Sequence, residues 1–222
     1  GLETWRAFAA YPPGQPEIDV WLLQPDRQLS RRAAASSSPD RYIYDPRKPT
    51  PSVGGAMFAF TGIGPVDQAP LEARSDVLTY TSEPLIADTT IIGNVRAVIY
   101  ARGSLPDADI FVKLSDVDPT GRSINICDGI LRKTLADPAE PDNIWKLSIK
   151  LHATAHCFRA GHRLRLLIAS GAHPRFARNL GTSEPVGTAT HLRTLEMEIF
   201  HDPERPSAIH LPIYDVRESP VR

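Results

Sequence analysis

The sequence predicts an all-β fold, a two-sheet antiparallel sandwich of the jelly-roll type, and three observations carry that prediction. Apolar and polar residues alternate through about nine or ten short segments, the period of strands with one buried face. Proline is abundant, at 21 of 222 residues, near twice the usual ~5%. The prolines fall between the apolar runs, as they do in loops joining short strands. No long amphipathic helix is present; the only helical candidates are Ala69–Arg74 and Leu131–Asp137. With 41% hydrophobic and 23% charged residues, the chain can bury a core as one domain spanning residues 1–222.

Taken in order, residues 4 to 24 predict two short strands split at Pro12-Pro13-Gly14, with Trp5 and Trp21 in the core. Residues 31–40, RRAAASSSPD, form a polar, low-complexity segment expected to be a flexible loop. The passage from Tyr42 to Phe60 holds three prolines and closes on Gly54-Gly55, so it must run extended over the surface or against another domain. Strands follow at Asp76–Ser82, Thr90–Ala101, Asp109–Val117 and Arg122–Leu131. Asp118-Pro119-Thr120-Gly121 has the chemistry of a type I turn.

The most regular stretch starts at Asn143. Trp145, Leu147, Ile149, Leu151, Ala153 and Ala155 share one face, and Lys146, Ser148, Lys150 and His152 the other. Ala160-Gly161 offers a turn. A second strand, Arg163–Ser170, is apolar enough to be buried on much of its surface, and the two together predict a long central hairpin. Thr190–Phe200 and Ala208–Ile213 complete the set.

Charge and motifs exclude more than they include. A net charge of −1 argues against a nucleic-acid partner, which needs a concentrated basic surface. The arginines between Arg159 and Arg178 are expected on a solvated strand face and loop. Cys127 and Cys157 have no CxxC spacing, so two buried free thiols are expected. No run of 18 apolar residues marks a membrane span and no leader is visible. The chain begins at Gly1, which suggests a fragment or a trimmed chain.

No GxSxG elbow is present; Gly121-Arg122-Ser123-Ile124-Asn125 lacks the second glycine. His152 and His156, four apart on a strand, lie roughly 13 Å apart and could not share a metal, though His162 can approach His156 across the turn. Gly54-Gly55 and Gly62-Ile63-Gly64 precede no helix and are loop glycines rather than a phosphate cradle. The acidic pairs Asp107/Asp109, Asp116/Asp118 and Glu196/Glu198 are expected to face solvent. No catalytic, cofactor or metal-binding residue is assigned.

Several strings nevertheless fall in a telling order. They are Tyr44-Asp45-Pro46, Pro51-Ser52-Val53-Gly54-Gly55, Asp67-Gln68, Asp76 through Leu85, and Gly93. Asp116 through Arg122, Cys127 through Arg132, Phe158 with Gly161-His162-Arg163, Ser170 through Asn179, and His210-Leu211-Pro212-Ile213 follow. Together they resemble the C-terminal domain of the Xaa-Pro dipeptidyl-peptidase, cocaine esterase and cephalosporin acylase group of serine hydrolases, over nearly all of residues 4 to 213. The resemblance implies a galactose-binding-like jelly roll packed on an α/β-hydrolase domain of the same parent chain. The Ser-Asp-His triad would lie on that domain, and the substrate would be a small acyl or peptidyl compound. It also implies that the segment after the double glycine supplies apolar wall residues to the substrate pocket. Met57, Phe58 and Phe60 are the candidates, with core residues of a strand as the alternative for each. Asp26-Arg27-Gln28-Leu29 departs from the family pattern, in which a glycine precedes the leucine. A carbohydrate-binding module on the same scaffold is the competing reading, opposed by an aromatic content of 7%. Self-association through an edge strand stays open.

Overall fold

The computed structural model describes residues 1, 5–58, 61–134, 141–182, 184–185 and 187–214. Among the described residues eleven strands carry the fold: β1 (Glu17–Leu23), β2 (Gln28–Ser30), β3 (Asp40–Tyr44), β4 (Leu78–Ser82), β5 (Thr89–Gly103), β6 (Ala108–Val117), β7 (Ser123–Lys133), β8 (Trp145–Phe158), β9 (Arg163–Ala169), β10 (Leu195–Phe200) and β11 (Ala208–Ile213). One short helix, α1 (Ala69–Glu72), lies between β3 and β4. Hydrogen bonds link the strands in the order β3-β10-β5-β11-β1-β2-β4-β9-β6-β7, with β8 paired to β5. Every pairing is antiparallel except the short parallel contact of β2 with β4.

Apolar side chains from both ends of that path meet in one buried cluster. Val95, Ala97 and Ile99 of β5, Ile149 of β8 and Met197 of β10 join Ile110 and Val112 of β6 and Leu166 and Ile168 of β9. That is the arrangement expected of a β-sandwich. At Gly129 of β7 the backbone comes so close to β8 that a Cβ would sit on the Lys150 carbonyl. Only glycine fits there.

The predicted hairpin of β8 and β9 is not formed. β8 pairs with β5 across its length, whereas β9 lies between β4 and β6. The Ala160-Gly161 turn is instead caught by Leu85, whose N–H donates to His162 O while Gly161 N–H donates to Leu85 O. The turn thus carries the chain from one half of the sheet path to the other. Local spacing shows a reversal; it does not show which strand waits on the far side.

The alternation of β8 also breaks. Trp145, Leu147, Ile149 and Leu151 are buried as expected, but Ala153 and Ala155 are exposed. Asn94 pairs with Ala153 and Arg96 with Lys150, so β8 carries one extra residue at this point. A bulge of one residue moves everything beyond it to the opposite face. His156 therefore turns inward in place of Ala155, with consequences described below.

Other expectations also shift. Residues 5–16 form no strand, and Trp5 is fully exposed rather than in the core. Leu131–Lys133 belong to β7 and not to a helix, while residues 135–140 lie outside the described residues. Asp118 to Gly121 makes the expected turn, Gly121 N–H donating to Asp118 O at 2.9 Å. Both cysteines are free and buried. No helix of the described residues is long and apolar enough to cross a membrane.

Candidate functional site

The strand β6 is buried along its whole length because both of its faces are covered. Ile110, Val112 and Leu114 point into the main cluster. Phe111 and Lys113 point the other way, beneath a strap of chain that runs from β3 to β4. A second, smaller apolar cluster forms here from Leu71, Val77, Phe111, Leu167, Ala169 and Ala172, with Val53, Ile130 and Phe176 packed against it.

The strap is tied down by polar groups. At its neck Thr50 Oγ1 donates to Asp76 Oδ2 at 2.8 Å, and the Arg74 guanidinium grips the same carboxylate at 2.7 and 2.8 Å. Glu72 accepts from Ser123 Oγ and pairs with Arg165 at 2.6 Å. Under the double glycine, Lys113 Nζ donates to Val53 O at 2.6 Å and to Gln68 Oε1 at 2.8 Å. Gln68 Nε2 donates to Val66 O and to Asn125 Oδ1. Asn125 in turn accepts from Val66 N–H and donates to Gly64 O. Burial pushes the Lys113 ammonium down to about 8, against the upward pull of Asp128.

These anchors fix the base of a closed loop. Gly55 and Gly64 exchange two backbone hydrogen bonds, at 2.9 and 3.0 Å, and Gly54 N–H donates to Gly62 O. Gly54 and Gly55 have φ of 65° and 93°, which favour glycine. There is no room for larger residues either. A Cβ at Gly54 would meet Asn125 Oδ1, and one at Gly55 would meet Asp128 Oδ2 and the Arg175 guanidinium, which are themselves paired at 2.8 Å.

The loop carries the residues nominated from the sequence. Met57 is half-buried, its sulfur 3.6 Å from Ser52 Oγ, and Phe58 is fully exposed. Phe60 lies outside the described residues. Phe58 is therefore not a core residue of a strand. Ile43 and Ile63 are also exposed, but Tyr42 and Tyr44 turn inward and add nothing to an apolar surface in this passage.

Of the acidic pairs expected to face solvent, Glu196 is exposed and Asp118 and Glu198 are partly so. Asp107, Asp109 and Asp116 are instead buried, and Asp109 receives a two-pronged contact from Arg132 at 2.7 Å. The β8 bulge brings His156 Nε2 to Asp116 Oδ2 and the turn brings His162 Nδ1 to Asp116 Oδ1, each at 2.8 Å. Burial pushes the Asp116 carboxyl up, but the hydrogen bonds from the two imidazoles outweigh this and hold it below its ordinary range. Among the described residues no group of three ligands could hold a metal.

The arginines between Arg159 and Arg178 are engaged by the fold. Arg159 pairs with Asp88, Arg163 with Glu83, Arg165 with Glu72 and Arg175 with Asp128, while Arg178 donates to Pro46 O. A serine, a histidine and an aspartate do line up elsewhere: Ser37 Oγ is 2.8 Å from His201 Nδ1, and His201 Nε2 is 3.3 Å from Asp40 Oδ2. The imidazole is buried, its Nε2 makes no hydrogen bond, and Asp40 is taken up by Tyr80 and Arg27. The row fastens the 31–40 segment to β10. Of the tryptophans, Trp21 and Trp145 are buried and Trp5 is exposed.

Sequence reasoning missed Lys113, Gln68 and Asn125. A signal for the first was present: a lysine beside Phe111 in the run Ile110-Phe111-Val112-Lys113-Leu114. Apolar residues on both faces of a strand mean that both are covered.

Comparison with known proteins closes the case on family. The model of the X-Pro dipeptidyl-peptidase C-terminal non-catalytic domain matches residues 1–210. Cocaine esterase of Rhodococcus sp. (strain MB1 Bresler) is 37% identical over an alignment of 194 residues that covers 83% of this chain and 34% of that protein. An aminopeptidase from a marine sediment archaeon, Thaumarchaeota archaeon, superposes with a TM-score of 0.85 at 27% identity, over 97% of this chain and 39% of its own. An α-amino acid ester hydrolase gives a TM-score of 0.77 at 25% identity, over 88% of this chain and 36% of its own. The chain thus spans little more than a third of the proteins it matches. It belongs to the family of X-Pro dipeptidyl-peptidase C-terminal non-catalytic domains.

Proposed function

We propose that this chain is the accessory domain of a serine acyl hydrolase. It packs as a galactose-binding-like jelly roll on an α/β-hydrolase domain of the same parent chain and lends that domain a wall of its substrate pocket. The observation that carries this reading is the Gly54–Gly64 loop: its base is fixed by buried hydrogen bonds while its tip holds Phe58 wholly in solvent. An isolated aromatic so presented gains by being covered. Met57, Phe58 and Phe60 would form the wall together. The similarity to an esterase, an ester hydrolase and an aminopeptidase supports a small acyl or peptidyl substrate.

In such a parent the nucleophile, general base and oxyanion donors belong to the catalytic domain. The accessory domain then acts on which acyl groups fit, not on bond cleavage. The test is an ester and Xaa-Pro-anilide assay on this 222-residue chain beside the product of the longer reading frame. Activity in the longer protein alone supports the reading; turnover by this chain alone overturns it.

A further inference from the structure

We propose that Lys113 is a positioning residue: a buried cation that holds the base of the Gly54–Gly64 loop at one height and thereby sets substrate selectivity. The inference rests on the pocket-wall reading above for its catalytic consequence, but not for the latch itself. Lys113 is only 1% exposed. Its ammonium spans two oxygens that belong to the strap, Val53 O immediately before the double glycine and Gln68 Oε1. Gln68 and Asn125 extend the contact to Val66 and Gly64 on the loop's returning arm. Two neighbouring strands thus grip the two arms of the loop, β6 through Lys113 and β7 through Asn125.

A cation in this place is costly to bury, and an apolar side chain of similar length would fill the same space without that cost. The nearby carboxylates have closer partners, Asp128 in Arg175 and Glu72 in Arg165. What an apolar substitute could not do is bond to Val53 O and Gln68 Oε1 at once. Buried polar groups of this kind can specify one conformation where they add no stability.

The test is amide hydrogen exchange on this chain bearing Lys113→Met, read at Gly54, Gly55, Met57 and Gly64, whose N–H groups are all hydrogen-bonded within the loop. The expected result is exchange faster by about tenfold at these four amides, with protection in β6 and β9 unchanged. Unchanged exchange at the loop overturns the proposal. Gln68→Met removes the same link from the strap side and provides the readout should Lys113→Met fail to fold. In the longer reading-frame product, Lys113→Met is expected to raise KM for the preferred acyl group by about tenfold while leaving kcat nearly unchanged. A loosened loop with unaltered KM and selectivity would uphold the latch and overturn the pocket-wall reading.

Discussion

The two faces of β6 are built on different principles. On one, Ile110, Val112 and Leu114 join a large apolar cluster gathered from both halves of the sheet path. On the other, a small apolar cluster shares the space with Lys113, Gln68 and Asn125, chained to one another and to the strap, and with the Asp128–Arg175 pair. Burial of apolar area drives the first and is nearly indifferent to partner. The second is directional: each group has a particular atom to meet, and an unmet one costs more than a met one returns. The comparison teaches that the first face holds the domain together and the second fixes where the loop stands.

The difference can be broken in order of size. Arg175→Ala should have the largest effect, because it strips Asp128 of its buried partner; a loss of about 3–5 kcal/mol in urea denaturation is expected. Ile99→Ala in the apolar cluster should cost about 2–5 kcal/mol by the same measurement, with the loop amides keeping their relative protection. Gly129→Ala should cost about 1–3 kcal/mol, since a methyl group there drives β7 away from β8. Smaller costs for both would mean that the apolar core tolerates more slack than its packing indicates.

Alkaline pH sharpens the contrast without mutating the apolar face. Lys113 titrates near 8 in the folded chain, below its ordinary value of 10.5, because burial disfavours the charge. Between those two values the unfolded chain binds more protons, so stability should rise as pH increases through that window. Lys113→Met should flatten this rise, which denaturant titrations at pH 7.5 to 10 would register. The acid limb slopes the same way, with stability rising as pH rises. The Asp116 carboxyl is held low by His156 and His162, so its contribution is lost as pH falls through its folded value.

What could be read from residues alone follows the same division. Every strand from β4 to β11 announced itself through alternation or apolar runs, and Ala69–Arg74 stood as one of two helical candidates. The pairing of β8 did not, because a turn at Ala160-Gly161 has the same local chemistry whether it closes a hairpin or crosses between the halves of the path. The bulge in β8 left no mark either; the approach of His162 to His156 across the turn was legible, but their meeting at Asp116 was not. Met57 and Phe58 were nominated through family resemblance, not through their own pattern. The polar layer beneath them was invisible because its members lie far apart in sequence and repeat with no period. Lys113 alone was within reach, as a charge set in a strand apolar on both faces.

The most direct measurement is the selectivity of the longer reading-frame product carrying Phe58→Ala, compared across esters of increasing acyl size. The account predicts a fall in kcat/KM of about tenfold for the acyl group that fills the pocket and little change for the smallest. Equal kcat/KM for wild type and Phe58→Ala across the whole series would contradict it, and would place the exposed tip of this loop away from the substrate.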